Sequence, residues 1–131
     1  MSLKLSGDES GDSFTLLEAD EPPNFGPPMH IHRGAAEAFY VLAGEYHIFI
    51  GHDEFPCPAG SFIYIPAGVV HGFRVGPAPS RKLNIYVPAA MVGYFDELSA
   101  ALARDAAEAE LSRIADRHGM QIVGPVPEGY L

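Results

Sequence analysis

The chain has 131 residues, enough for one domain whose core needs no disulfide staple. Hydrophobic residues make up 47% and charged residues 19%, a balance too apolar for a disordered chain. The formal net charge is −9 and Lys and Arg nowhere cluster, which argues against partners such as nucleic acid or an anionic membrane.

One cysteine, Cys57, leaves no internal disulfide and fits a reducing compartment. Residues 1–8 hold no apolar core of signal-peptide length, and no apolar run approaches a membrane span, so the cytoplasm is the expected location.

Residues 1–12 are polar and read as loose. Phe14 to Leu17 reads as a first strand, ended by the acidic stretch Glu18 to Glu21. Pro22, Pro23, Pro27 and Pro28 then make 22–28 a loop, because each proline removes a backbone donor. From Met29 to Val87 the expected strands are 29–32, 37–42, 45–50, 61–65, 71–75 and 81–87. Turn residues separate them: Ala43-Gly44, Gly51 to Asp53, Pro56 to Gly60, Pro66 to Gly68 and Gly76 to Pro79. Such spacing predicts an all-β sandwich or barrel.

After Pro88 the period changes to that of a helix. Phe95, Leu98 and Leu102 recur at helical intervals, as do Leu111, Ile114 and Ala115, with a break near Arg104-Asp105 and a stop at Gly119. The predicted organisation is one domain: a β-barrel over 1–90, helices over 91–118 and an extended tail over 119–131. The helices are expected on the outside of the barrel or on a second subunit. That apolar face and the open strand edges predict a homodimer.

His30 and His32 are two apart, so on a strand both imidazoles face the same way. Glu37 follows the turn at 33–36, where an antiparallel return would set it beside them. His71 opens the strand after the Pro66-Ala67-Gly68 turn. Three imidazoles and a carboxylate suit one divalent transition metal, any of Mn, Fe, Co, Ni, Cu or Zn. His47, His52 and His118 read as surface, turn and helix-end residues. Cys57 has no basic neighbour in sequence to activate it.

The stretch His30-Ile-His32 through Glu37 to Gly44 resembles the first cupin motif, and Gly60 through Pro66 and Gly68 to His71 resembles the second. The resemblance spans roughly 14–88 and is nearest to small bacterial cupins like quercetin 2,3-dioxygenase. It implies a double-stranded β-helix, or jelly roll, with metal ligands at His30, His32, Glu37 and His71. Two positions depart from the family pattern. Asn24 stands where a leading glycine is usual, and Val75 stands in place of an asparagine that is not a ligand.

Strand parity gives the expected pocket walls: Phe39 and Val41 with Glu37, Phe73 and Val75 with His71, and Tyr86 with Asn84. Phe62 and Tyr64 share a face of their own strand. Phe39, Val41, Tyr64, Phe73 and Tyr86 would line an apolar, aromatic site. The hydroxyls of Tyr64 and Tyr86 are candidates to support a ligand, while aromatics that merely fill the core are the competing reading. The implied function is a metal-dependent oxygenase for a small apolar or aromatic substrate, with Glu37 as ligand and proton acceptor. The same ligand set also resembles that of cupin decarboxylases and isomerases, and a cupin that binds a small molecule without turnover remains a further alternative.

Overall fold

The computed structural model describes residues 2–91 and 93–124. In chain order the elements are β1 (Ser2–Leu5), α1 (Gly7–Ser10), β2 (Thr15–Glu21), β3 (Met29–His32), β4 (Ala36–Ala43), β5 (Glu45–Ile50) and β6 (Asp53–Pro58). They continue with β7 (Phe62–Ile65), β8 (His71–Val75), β9 (Ser80–Val87), α2 (Tyr94–Ala103), α3 (Glu108–Arg117) and β10 (Met120–Gly124). The strands form two five-stranded antiparallel sheets, ordered β1-β2-β9-β4-β7 and β10-β3-β8-β5-β6. Sequence neighbours such as β3 and β4 fall in different sheets, so the chain repeatedly crosses between layers, as a jelly roll requires.

Four local expectations are corrected. The N-terminal segment is ordered: β1 pairs with β2. Ser6 and Glu9 form a reciprocal capping box at the start of α1. β2 runs on through the acidic stretch to Glu21, because Glu18, Ala19 and Asp20 pair with Leu83, Lys82 and Arg81 of β9. Asp53–Pro58 is a strand rather than turn. β6 lies at a sheet edge, where Pro56 and Pro58 are tolerated because an edge strand need not donate on both sides. Met120–Gly124, expected as tail, is β10 and pairs with β3; residues 125–131 lie outside the described residues.

Phe39, Val41, Tyr46, Ile48, Cys57, Ile65, Phe73 and Val75 come from both sheets and form one buried cluster. Removing each large side chain from water contributes about 1.5–3 kcal/mol, which makes this interior the main adhesive between the sheets. Val75, at the position of the family asparagine, is fully buried there. Asn24 takes a left-handed backbone (φ 64°), the conformation that Asn tolerates best after Gly.

The second cluster joins Leu17, Tyr86 and Met120 of the strands to Met91, Tyr94, Ala101, Ile114 and Ala115. The helices therefore pack on the chain's own strands, at Leu17, Tyr86 and Met120. Phe95 and Leu98 pack as expected, but Leu102 is exposed and Ala101 takes the buried position. The helical break lies at Asp105, which has a positive φ. Among the described residues no helix is long and apolar enough to cross a membrane.

Candidate metal centre

His30 and His32 leave β3 on the same face, and His30 stands directly opposite His71 of β8. The three imidazoles thus share one sheet. Their ring centroids are 4.3 Å (His30–His71), 4.9 Å (His30–His32) and 5.3 Å (His32–His71) apart. Glu37 approaches from the other sheet, where it sits between Ile65 of β7 and Tyr86 of β9. The expected hairpin return does not occur: β3 and β4 do not pair, and the turn between them carries the chain across the barrel. Glu37 consequently faces the histidines instead of flanking them.

One donor atom from each of His30, His32, Glu37 and His71 lies within 4.8 Å of the others. His32, Glu37 and His71 are buried, while His30 is partly exposed. His30 Nδ1 donates to Pro28 O at 2.8 Å, and His71 Nδ1 donates to Val69 O at 3.0 Å. A carbonyl only accepts, so these contacts put the ring proton on Nδ1 and leave each Nε2 free to act as a donor atom.

The inner atoms lack ordinary partners. His32 Nε2 is buried with no hydrogen bond and lies 3.4 Å from Glu37 Oε1. His71 Nε2 is 2.7 Å from the same oxygen, two lone-pair atoms that need a cation between them. In the metal-free protein that cation is a proton. Burial disfavours charge on His71, but its hydrogen bond to Glu37 outweighs this and raises its pKa. Burial likewise pushes the Glu37 carboxyl up, and the His32 and His71 imidazoles beside it hold it well below the usual carboxylate range. Burial and the neighbouring His71 lower His30 to about 4. The orphaned His32 nitrogen and this donor set fit a divalent transition metal.

The expected pocket walls separate. Phe39, Val41 and Phe73 face inward, but they are packed into the core cluster, Phe39 and Phe73 edge to face at 6.0 Å. They fill the interior more than they line an opening. Tyr64 is 60% exposed on the outer face of β7, because Ile65, beside it, is the residue that points in. Tyr86 is buried beside the centre: its ring meets that of His32 at 5.3 Å, and burial together with Glu37 raises its hydroxyl pKa well above the usual value.

Parity set Asn84 on the face of Tyr86 without giving it a task, and Lys82 was not placed there. Asn84 Nδ2 donates to Glu37 Oε2 at 3.0 Å, and Lys82 Nζ donates to Asn84 Oδ1 at 2.7 Å. Parity was the available signal, since residues 82, 84 and 86 must share one face of β9. A lysine on that face reads as an outlier unless its partners are known. The remaining histidines stand away from the centre: His47 lies 3.7 Å from Glu54, His52 is exposed in a turn, and His118 caps α3 near Glu97. Cys57 is buried, which raises its thiol pKa and leaves it unactivated.

Quercetin 2,3-dioxygenase of Bacillus subtilis (strain 168) is 25% identical over 85 residues, 65% of this chain. The chain spans only about a quarter of that protein's length (25%). Among solved structures, the cupin domain of Schizosaccharomyces pombe Cnp3 superposes with TM-score 0.61 at 14% identity, over 66% of this chain and 59% of that one. A predicted oxalate decarboxylase from Thermotoga maritima gives TM-score 0.57 at 22% identity, over 66% and 76%. At such identities the structural likeness speaks for the fold alone. A family model described as a cupin domain matches residues 17–86, just over half of the chain. The chain belongs to the cupin family.

Proposed function

We propose that this cupin is a metal-dependent oxygenase acting on a small, largely apolar or aromatic molecule. The observation that carries the reading is the buried, convergent His30, His32, Glu37 and His71 set with an unsatisfied His32 nitrogen. The similarity to a quercetin 2,3-dioxygenase supports the choice of reaction. A bound divalent metal would supply Lewis acidity toward an enol or phenol oxygen and, where redox-active, a one-electron couple for dioxygen chemistry.

The residues have distinct tasks. Pro28 O and Val69 O fix the tautomers of His30 and His71, so that both present Nε2. Glu37 would help hold a metal, and its Oε1, beside His71, is the atom that would take the proton of an enol or phenol. Tyr86 stays protonated and closes the centre beside His32. His30, the one ligand of the four that is partly exposed, marks the side from which a small molecule reaches the centre. Phe39, Val41 and Phe73 back the site as packed apolar wall.

The test is elemental analysis of protein purified without a metal-affinity tag, repeated on His71→Ala, followed by oxygen uptake with enolic and phenolic compounds. About one equivalent of iron, manganese, nickel or copper, absent from the variant and accompanied by uptake, supports an oxygenase. Zinc alone, or a redox metal without uptake, favours decarboxylase or isomerase chemistry or a binding role. A homodimer fits the exposed Phe62 and Tyr64 of the edge strand β7; a monomer mass on gel filtration would overturn that assembly.

A further inference from the structure

The inward face of β9 carries a buried polar line: Lys82, Asn84 and Tyr86 stand opposite Val41, Phe39 and Glu37 of β4. Lys82 is 1% exposed. Its ammonium pairs with Glu21 Oε1 at 2.9 Å and donates to Asn84 Oδ1 at 2.7 Å. The rings of Phe73, Phe39 and Tyr46 surround it, with centroids 4.5, 4.9 and 5.6 Å from Nζ. The Tyr46 hydroxyl donates to the same Glu21 oxygen at 2.9 Å. An isolated buried ammonium would cost several kcal/mol, whereas this one has a carboxylate, an amide oxygen and three ring faces around it.

The ammonium dictates how Asn84 is turned. An amide has one accepting oxygen and one donating NH2, and Lys82 can only donate. Oδ1 must therefore face Lys82, and a flipped amide would set two donors against each other. The NH2 is thereby aimed at Glu37, where Nδ2 donates to Oε2 at 3.0 Å. The other Glu37 oxygen, Oε1, is the one near His71 (2.7 Å) and His32 (3.4 Å).

We propose that Asn84, oriented by the buried Lys82–Glu21 pair, is a positioning residue that holds Glu37 Oε2 and presents Oε1 alone to the metal. The inference rests on the metal-centre reading above. It assigns a purpose to a charge in the barrel interior that the ligand pattern does not explain. Oε2 is tied to the amide, and Oε1 is left to the side of His71 and His32.

The experiment uses cobalt(II) as the probe on the full chain. Affinity is read by chelator competition, the ligand field by the visible absorption spectrum, and folding by circular dichroism. Asn84→Leu is expected to bind cobalt about tenfold to a hundredfold more weakly, the usual cost of losing a partner of a metal ligand. Its spectrum should change as Glu37 becomes free to ligate through both oxygens. The double variant Glu21→Gln with Lys82→Met removes both charges but keeps the volume between the rings. It should show the same spectral change with a smaller loss of affinity. Folded Asn84→Leu with parental affinity and spectrum overturns the proposal. If that variant does not fold, the double variant decides, and parental values there overturn it equally. A parent chain that binds no cobalt overturns the metal-centre reading, and this proposal with it.

Discussion

His30 stands directly across the β3–β8 ladder from His71, their ring centroids 4.3 Å apart, and their Nδ1 atoms both donate to backbone carbonyls two residues upstream. Two candidate ligands thus have their Nδ1 side held by main chain, an arrangement that does not depend on the identity of residues 28 and 69. The third, His32, has no such partner at its inner nitrogen, and Glu37 crosses from the opposite sheet to complete the group.

The unpartnered nitrogen makes His32 the sharpest probe of the ligand set. His32→Ala is expected to lose stoichiometric metal while remaining folded, because the barrel core lies in a different cluster of residues. Metal content by elemental analysis checks this, and full occupancy in the variant would refute the assignment of His32.

Acid and base should limit the metal-free protein from opposite sides. His30 is lowered to about 4 in the folded state. Between its ordinary value near 6.5 and that point, the unfolded chain binds more protons, so stability falls as pH drops. Glu37, held low, adds its loss further into the acid range. His71 is raised, so its contribution is complete below about 6.5 and fades as pH rises through its raised value. Tm of the metal-free protein is therefore expected to peak near pH 6.5. Metal binding needs neutral imidazole, so the gain in Tm on loading should grow above that pH. A metal-free Tm that climbs steadily to pH 8.5 would contradict the His71–Glu37 account.

Phe73 separates a packed interior from an open pocket. It is 6% exposed, it meets Phe25, Phe39 and Tyr46 with ring centroids 6.1, 6.0 and 5.5 Å away, and its ring lies beside the Lys82 ammonium. Phe73→Ala should destabilise the fold by about 3–5 kcal/mol through cavity formation. Chemical denaturation measures it. A loss under roughly 1 kcal/mol, with a changed ligand range, would instead make Phe73 a pocket wall.

Gly44 tests the motif glycine as a steric requirement. Its φ is +77°, and an added Cβ would lie 2.1 Å from Ser80 Oγ and 2.8 Å from Pro79 O. Ser80 Oγ meanwhile accepts from Glu45 N at 3.0 Å and shares its single proton between Glu45 O at 3.2 Å and Ala78 O at 3.1 Å. Gly44→Ala pays about 1–2 kcal/mol for the left-handed backbone and more for displacing Ser80. A drop in Tm of several degrees is expected, with metal content per folded molecule unchanged; an unaltered Tm would show that the β4–β5 turn can relax.

The sequence by itself determined the strands from Met29 to Val87 other than β6, the two C-terminal helices and the four candidate ligands. These rest on short-range regularities: period-two alternation, turn residues at fixed intervals and motif spacing. Parity also placed Phe39, Val41, Phe73 and Tyr86 inward. The tertiary structure decided what alternation leaves open. It put β3 and β4 in different sheets, so that Glu37 faces His30, His32 and His71 across the barrel, and it turned Tyr64 to solvent by choosing Ile65 as the inward member of β7. It made a strand of Asp53–Pro58, because an edge accepts prolines that a central strand rejects, and it added β10 beside β3. It also placed Lys82 inside. An inward lysine is intelligible only once Glu21, Asn84 and three aromatic rings, distant in sequence, are known to surround it, since a buried charge is sustained by partners that no local pattern records.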